Sequence, residues 1–262
     1  APTFAMKINK DHAFGVSLNL AYQTFEAKGI QSFCNSSFSS NPSNCTNNGE
    51  DTSTGYGFSL GYLGQLHPKF AVGVNYRSET EMTEFDKYAG LFAEQGDFNI
   101  PSMYGVGVKY TPSSAWTILF DYSRINYSDI AAIANPISNL TVGGNQLGTD
   151  NGGGFGWQDM DVYKLGVAWQ MSKTFILRGG WNHGKQPIPN GETLFNILAP
   201  ATVEDHLTLG ATWVLSGGSE LTIAYMHVNG SNSIPVGGGF PGGEANIGMS
   251  QDSLGIAYGW AF

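Results

Sequence analysis

The sequence predicts an all-β protein: a single antiparallel β-barrel that crosses a membrane. Three observations lead there. Apolar and aromatic residues alternate with small or polar ones in one segment after another, the period of a strand whose side chains point to opposite faces. Charged residues make up only 13% of the 262, about half the roughly 25% of a soluble protein. Mean hydropathy is nonetheless -0.14, and no apolar run approaches the ~20 residues that a spanning helix needs. Alternation averages hydropathy out while leaving one greasy face on every strand.

Eleven strands follow from the alternation. The first carries Phe4, Met6 and Ile8 on its apolar face, and the second Phe14, Val16, Leu18, Leu20 and Tyr22. Tyr56, Phe58, Leu60 and Tyr62 mark the third, and Phe70, Val72, Val74 and Tyr76 the fourth. The next two carry Tyr104, Val106, Val108 and Tyr110, then Trp116, Ile118, Phe120 and Tyr122. Tyr163, Leu165, Val167 and Trp169 define the seventh, and Phe175, Leu177 and Trp181 the eighth. Leu207, Leu209, Ala211 and Trp213 belong to the ninth, and Leu221, Ile223 and Tyr225 to the tenth. The last runs from Leu254 to Phe262. Aromatics fall at the ends of these sets, as the girdles at a membrane interface require. The opposite faces read Gly, Ser, Ala, Thr and Asn with a few charges, which describes a wet lumen and not a packed core.

The connections alternate in length. Short turns are expected at Asn9–His12, His67–Lys69, Pro112–Ser114, Ser172–Lys173 and Ser216–Ser219. Long ones occupy roughly 24–54, 80–101, 128–160, 184–205 and 229–250. Short turns at one end and long loops at the other are the pattern of outer-membrane barrels, with the long loops outside the cell. The two cysteines, Cys34 and Cys45, share one such loop with Asn and Ser and nothing that would complete a metal site, so a disulfide is expected. Counting strands backward from the last makes the first run inward. Bacterial single-chain barrels have even strand numbers, so residues 1–262 are expected to be the C-terminal portion of one barrel domain, with an odd number of strands missing.

Two stretches carry a more specific resemblance: Tyr88–Pro101, and the run from Thr193 to Gly210. They resemble the FadL-type family of outer-membrane transporters for long-chain fatty acids and hydrocarbons. The terminal strand, ending on an aromatic at Phe262, is similar to the signal that barrel-assembly machinery reads. The resemblance implies a fourteen-stranded barrel with an N-terminal hatch, three strands of which lie upstream. It also implies a monomer seated in outer-membrane lipid and lipopolysaccharide. The family's activity would be passive uptake of long-chain fatty acids or similar hydrophobic molecules. Aromatic hydrocarbons are the rival substrate, and a structural or adhesive barrel is the rival from another class.

Strand parity places Lys7, Arg77, Lys109, Lys164 and Arg178 on the inner faces of an otherwise acidic chain of net charge -9. Arg77 and Lys164 are expected towards the outer rim, Arg178 near mid-depth, and Lys7 and Lys109 near the inner exit. The upper three are candidates to meet a substrate carboxylate, which both Lys and Arg bind well. The competing expectation is that all five pair with acids of the hatch or with Asp121 and Glu79. In the long loop, Phe85, Tyr88, Leu91, Phe92 and Phe98 are candidates for an apolar capture groove or, equally, for packing the loop onto the rim, with Tyr88, Leu91 and Phe92 spaced for one face of a short helix. Leu194, Phe195, Ile197 and Leu198 are read mainly as loop packing. The acidic balance argues against a nucleic-acid partner. The five histidines lack ligand spacing and no nucleophile stands near a base, so neither metal, cofactor nor enzymatic chemistry is expected. The glycine runs 152–154 and 237–239 precede no helix and make no phosphate cradle.

Overall fold

A computed structural model describes residues 1–230 and 247–260, with Leu194 described by its backbone alone. It contains the eleven expected strands and one more. In chain order they are β1 (Thr3–Lys7), β2 (His12–Phe25), β3 (Asp51–His67), β4 (Phe70–Arg77), β5 (Glu81–Met82) and β6 (Met103–Ser113). The second half holds β7 (Trp116–Ile125), β8 (Met160–Ser172), β9 (Phe175–Gly184), β10 (Val203–Val214), β11 (Glu220–Gly230) and β12 (Ser250–Gly259). All neighbours are antiparallel in sequence order, except that the two-residue β5 pairs back onto β3 beside the β3–β4 hairpin. Among the described residues β1 and β12 do not pair with each other.

Register decides which residues share a face, because a one-residue slip would invert a whole strand. Val16 stands opposite Leu60, Leu60 opposite Tyr76, and Tyr76 opposite Tyr104. Further along, Tyr122 faces Tyr163, Leu165 faces Trp181, and Tyr225 faces Leu254. Apolar positions therefore meet across every junction and form one continuous outer surface. That surface is exposed: Leu20, Tyr56, Leu209 and Leu254 all keep more than half of their area open. In water such a surface would forfeit about 25 cal/mol per Å²; in a bilayer it is already solvated by lipid tails.

The short turns close by local chemistry. Asn9 Oδ1 accepts from the N–H groups of both Asp11 and His12, at 2.8 and 2.9 Å, fixing the β1–β2 turn. Between β10 and β11, Gly217 and Gly218 take φ of 81° and 82°, which a side chain would strain.

The long loops at the other end fold together into a cap with two apolar centres. Phe85, Tyr88, Phe92, Ala93 and Ala132 form the first, with Phe25 of β2, Leu91 and Phe98 against it. Ile137, Leu140 and Leu147 form the second, with Phe33, Leu91 and Phe195 against it. Leu91 touches both. Polar ties join the same loops: Ser39 Oγ donates to the Gly90 carbonyl at 2.7 Å, and Tyr88 Oη donates to the Gly49 carbonyl at 2.8 Å. Cys34 and Cys45 are joined by a disulfide. Phe262, Gly237–Gly239 and most of the last long connection lie outside the described residues.

Candidate functional site

The inner face is a track of small residues interrupted by a few charges. Running across the strands at one register level are Leu63, Gly73, Gly107, Asp121, Lys164, Asn182 and His206. Glycine keeps the β4–β6 section of this row open, and Asp121 leans over Gly107 where a Cβ would collide with it. Further along, Asn182 Nδ2 lies 3.3 Å from His206 Nδ1. A hollow lined by Gly61, Gly73, Asn75, Gly105, Ser123 and Lys164 follows. A second hollow, at the turn end, is lined by Lys7, Lys109 and Asp11.

Among the described residues, the five inner cations do not pair with acids. The ion pairs among the described residues involve Lys10, Lys28, Arg124, His183 and His227 as cations, and none of Lys7, Arg77, Lys109, Lys164 or Arg178. Neither Asp121 nor Glu79 pairs with any of them among the described residues. Glu79 instead accepts from Asn99 Nδ2 at 3.0 Å in the loop beyond β4. Arg178 donates to the Thr212 hydroxyl at 2.6 Å, a neutral partner. Arg77, the last residue of β4, keeps its Nε buried with no hydrogen-bond partner among the described residues. A buried guanidinium donor without an acceptor is costly. It suits a site where an anion completes the shell.

The loop candidates pack together within the cap. Phe85, Tyr88 and Phe92 are 2%, 0% and 6% exposed, and Leu91 and Phe98 are half-buried against them. Phe25 meets Phe85, Tyr88 and Phe92 at ring separations of 5.7, 4.8 and 4.8 Å. The rings thus fill the base of the cap and line no open groove, because β2 extends to Phe25 and inserts its last side chain among them. The expected helix through Tyr88–Phe92 is reduced to a 3-10 turn at Asp86–Tyr88 and one turn in which Leu91 and Phe92 both donate to the Tyr88 carbonyl. In the helical segment after it, α1 (Ala93–Gly96), Glu94 and Gln95 sit at φ of 54° and 57°, so no helix propagates.

Acids crowd this loop. Burial, with Glu94, Glu84 and Glu79 nearby, raises the Asp97 carboxyl to about 6, and burial also raises Glu79.

One feature of the outer face was not foreseen. Arg124 donates to both oxygens of Asp161 at 3.1 Å and to Asp159 at 2.8 Å, while Tyr122 Oη donates to the same Asp161 at 2.7 Å. Two more hairpins repeat the arrangement of a ring and a base, two residues apart, meeting an Asp on the next strand. Trp181 and His183 meet Asp205, and Tyr225 and His227 meet Asp252. The sequence does contain the pattern, aromatic-x-base with a later Asp, but only register brings each Asp opposite its base.

A family model for the outer membrane protein transport proteins (OMPP1/FadL/TodX) matches residues 1–234. The chain belongs to this family. Its place is accordingly the outer membrane, and the family's work is transport of hydrophobic compounds and not catalysis. No curated protein sequence matches it. Solved structures of similar fold include the CymD monoaromatic hydrocarbon channel, at 17% identity and a TM-score of 0.60, with 99% of this chain and 72% of that chain covered. The Ralstonia pickettii toluene transporter TbuX matches at 14% and 0.59, covering 99% and 66%. A Pseudomonas aeruginosa FadL homologue matches at 12% and 0.60, covering 98% and 65%. The chain thus spans between about two thirds and three quarters of these relatives' lengths. At such identities the likeness establishes the shared fold alone.

Proposed function

We propose that the protein carries long-chain fatty acids or similar hydrophobic compounds passively across the outer membrane. The observation that carries this reading is the set of inner-face cations, Arg77, Lys164 and Arg178, with no carboxylate partner among the described residues. A lumen with unneutralised cations and a glycine-lined wall suits an amphiphile whose acidic head needs a donor and whose tail needs room. Lys7 and Lys109, at the turn end, extend the same sign of charge towards the exit. In this reading the edges of β1 and β12 take up further strands that complete the wall, and the rings of Phe85, Tyr88, Leu91, Phe92 and Phe98 serve as the apolar floor of the cap beneath the entry route.

Aromatic hydrocarbon is the second reading, favoured by two of the structural relatives, a monoaromatic hydrocarbon channel and a toluene transporter. The two differ in what the cations do. Replacing Arg77, Lys164 and Arg178 together by Gln is expected to lower fatty-acid uptake into vesicles holding the protein, and to leave toluene uptake unchanged. Unchanged uptake of both would end the fatty-acid reading. A barrel with no transport substrate would show no uptake of either, before or after substitution.

A further inference from the structure

The outer face ends differently at its two borders. Near the turns, rings meet rings: Trp116 stacks on Trp169 with centroids 5.2 Å apart, and Phe175 lies 5.0 Å from Trp213. Near the loops, rings meet carboxylates, in the three sets built on Asp161, Asp205 and Asp252. The offset between the borders is constant. Arg124 and Asp161 stand eight residues from Trp116 and Trp169. His183 and Asp205 stand eight from Phe175 and Trp213, and Asp252 eight from Trp260. Eight residues at ~3.4 Å each, on strands tilted by about 40°, cover about 21 Å of depth, close to the ~25 Å apolar band of such barrels. The sets also step by two residues per hairpin. His183 stands opposite Tyr163, two residues nearer the turn than Asp161, and His227 opposite Leu207, two nearer than Asp205. Strands ~4.8 Å apart at that tilt need about this step to hold one depth. The three sets therefore lie side by side at the outer edge of the hydrocarbon, where the headgroups of the outer leaflet begin.

The first set is closed on itself. Arg124, Tyr122 and the Ser128 N–H occupy the oxygens of Asp161 and Asp159. The other two are left open. In each a single oxygen, Oδ1, takes both bonds: from Trp181 Nε1 and His183 Nδ1 on Asp205, and from Tyr225 Oη and His227 Nδ1 on Asp252. Oδ2 of each Asp and Nε2 of each His have no hydrogen-bond partner among the described residues. The two Asp side chains are 50% and 64% exposed. A carboxylate only accepts, so Nδ1 carries the imidazole hydrogen and Nε2 of the neutral ring presents a lone pair. Each open set thus offers two acceptors beside an aromatic ring. A phosphate, itself all acceptor, gains nothing from them. A sugar, with many hydroxyl donors and apolar C–H faces, matches both.

We propose that Asp205 with His183, and Asp252 with His227, bind the sugar headgroup of an outer-leaflet glycolipid. Its hydroxyls donate to the open oxygens and ring nitrogens, and its C–H faces lie on Trp181 and Tyr225. Two strand spacings and a two-residue step set the sites about 12 Å apart, within reach of one headgroup of two or more linked sugars. Both sites are continuous with the lipid-facing surface, so a lipid headgroup and not a dissolved sugar is the occupant. The assignment stands whatever solute the lumen carries.

The test titrates the whole protein, stripped of lipid in detergent micelles, with lipopolysaccharide lacking its outer sugar chain. Phosphatidylethanolamine, whose ammonium is also a donor, is titrated in parallel, and bound lipid is counted by native mass spectrometry. The glycolipid is expected to bind about tenfold more tightly. The double variant Asp205→Leu, Asp252→Leu is expected to remove that tenfold, the scale of lost charge-assisted hydrogen bonds, and to leave phosphatidylethanolamine binding unchanged. His183→Phe with His227→Phe keeps both carboxylates and should lower glycolipid affinity by about threefold, the scale of lost neutral hydrogen bonds. Unaltered strand circular dichroism shows that each variant folds. Equal affinity for the two lipids, or glycolipid affinity unmoved in both variants, overturns the site. A free disaccharide that competes as well as the glycolipid overturns the lipid assignment. Binding that vanishes when divalent cations are chelated overturns the direct hydroxyl contact.

Discussion

Lys164 on β8 stands directly across from Asp121 on β7, yet the two make no ion pair. Asp121 turns instead towards Gly107 on β6, the neighbour on its other side, where the missing side chain leaves it room. The lumen therefore keeps both charges available. On the proposed fatty-acid reading, Lys164 would offer a donor to the acidic head and Asp121 would limit how far the anion moves towards β6.

Substituting these two residues singly should separate their roles. Lys164→Gln is expected to lower fatty-acid uptake by about tenfold, the scale of one lost charge-assisted hydrogen bond. Asp121→Asn should raise it by about fivefold, since a like charge within ~8 Å costs an anion about 1 kcal/mol at an intermediate dielectric. Rates of uptake of a radiolabelled fatty acid into vesicles measure both. Equal changes for toluene would show that shape, and not charge, had been altered.

The cap should tighten in mild acid. Asp97 is raised to about 6 in the folded cap, above its ordinary 3.8, by burial and by neighbouring Glu94, Glu84 and Glu79. A carboxyl raised on folding favours the folded state when protonated, so its stabilisation is present at low pH and is lost as pH rises through about 6. Glu79 is shifted in the same sense. Amide exchange in residues 85–98 is expected to be better protected at pH 5 than at pH 7.5, after correction for intrinsic rates. Asp97→Asn should flatten most of that difference.

Reducing the disulfide should loosen the cap and spare the wall. Cys34 and Cys45 are 11 residues apart, and closing so short a loop contributes about 2–3 kcal/mol in the chain-entropy account. The double variant Cys34→Ser, Cys45→Ser should be cut by protease within 29–49 many times faster. The thermal transition of the strands, followed by circular dichroism, should move little, because no strand residue lies inside the loop.

Gly90 is where the cap tolerates no side chain. A Cβ there would collide with the Asn41 carbonyl and crowd Ser39 Oγ, both on the disulfide-bearing loop. Gly90→Ala is expected to cost about 1–3 kcal/mol of cap stability, the usual range for overpacking. Protease sensitivity at both loops together would report it; an effect at the 78–102 loop alone would mean that the two loops do not depend on each other.

The strands were legible in the sequence because their two faces meet different solvents. Leu18, Leu60 and Leu254 meet lipid while Gly61, Gly107 and Gly166 meet the lumen, and a period of two records that difference directly. Direction, the placing of long loops at one end, and the inner position of Lys164 and Arg178 all follow from parity and length. The two-residue β5 escaped, since two residues carry no period. The loops were legible only in part. Spacing among Phe85, Tyr88 and Phe92 marks an apolar cluster, but not whether it faces water or Phe25, because burial there depends on segments tens of residues away. The same holds for Arg124 and Asp161, and for Phe33 and Phe195. Alternation alone therefore determined the wall and the sign of its inner charge. Only the tertiary structure decided which charges stay unpaired and which loop rings stay exposed, since both depend on contacts between residues that sequence spacing does not relate.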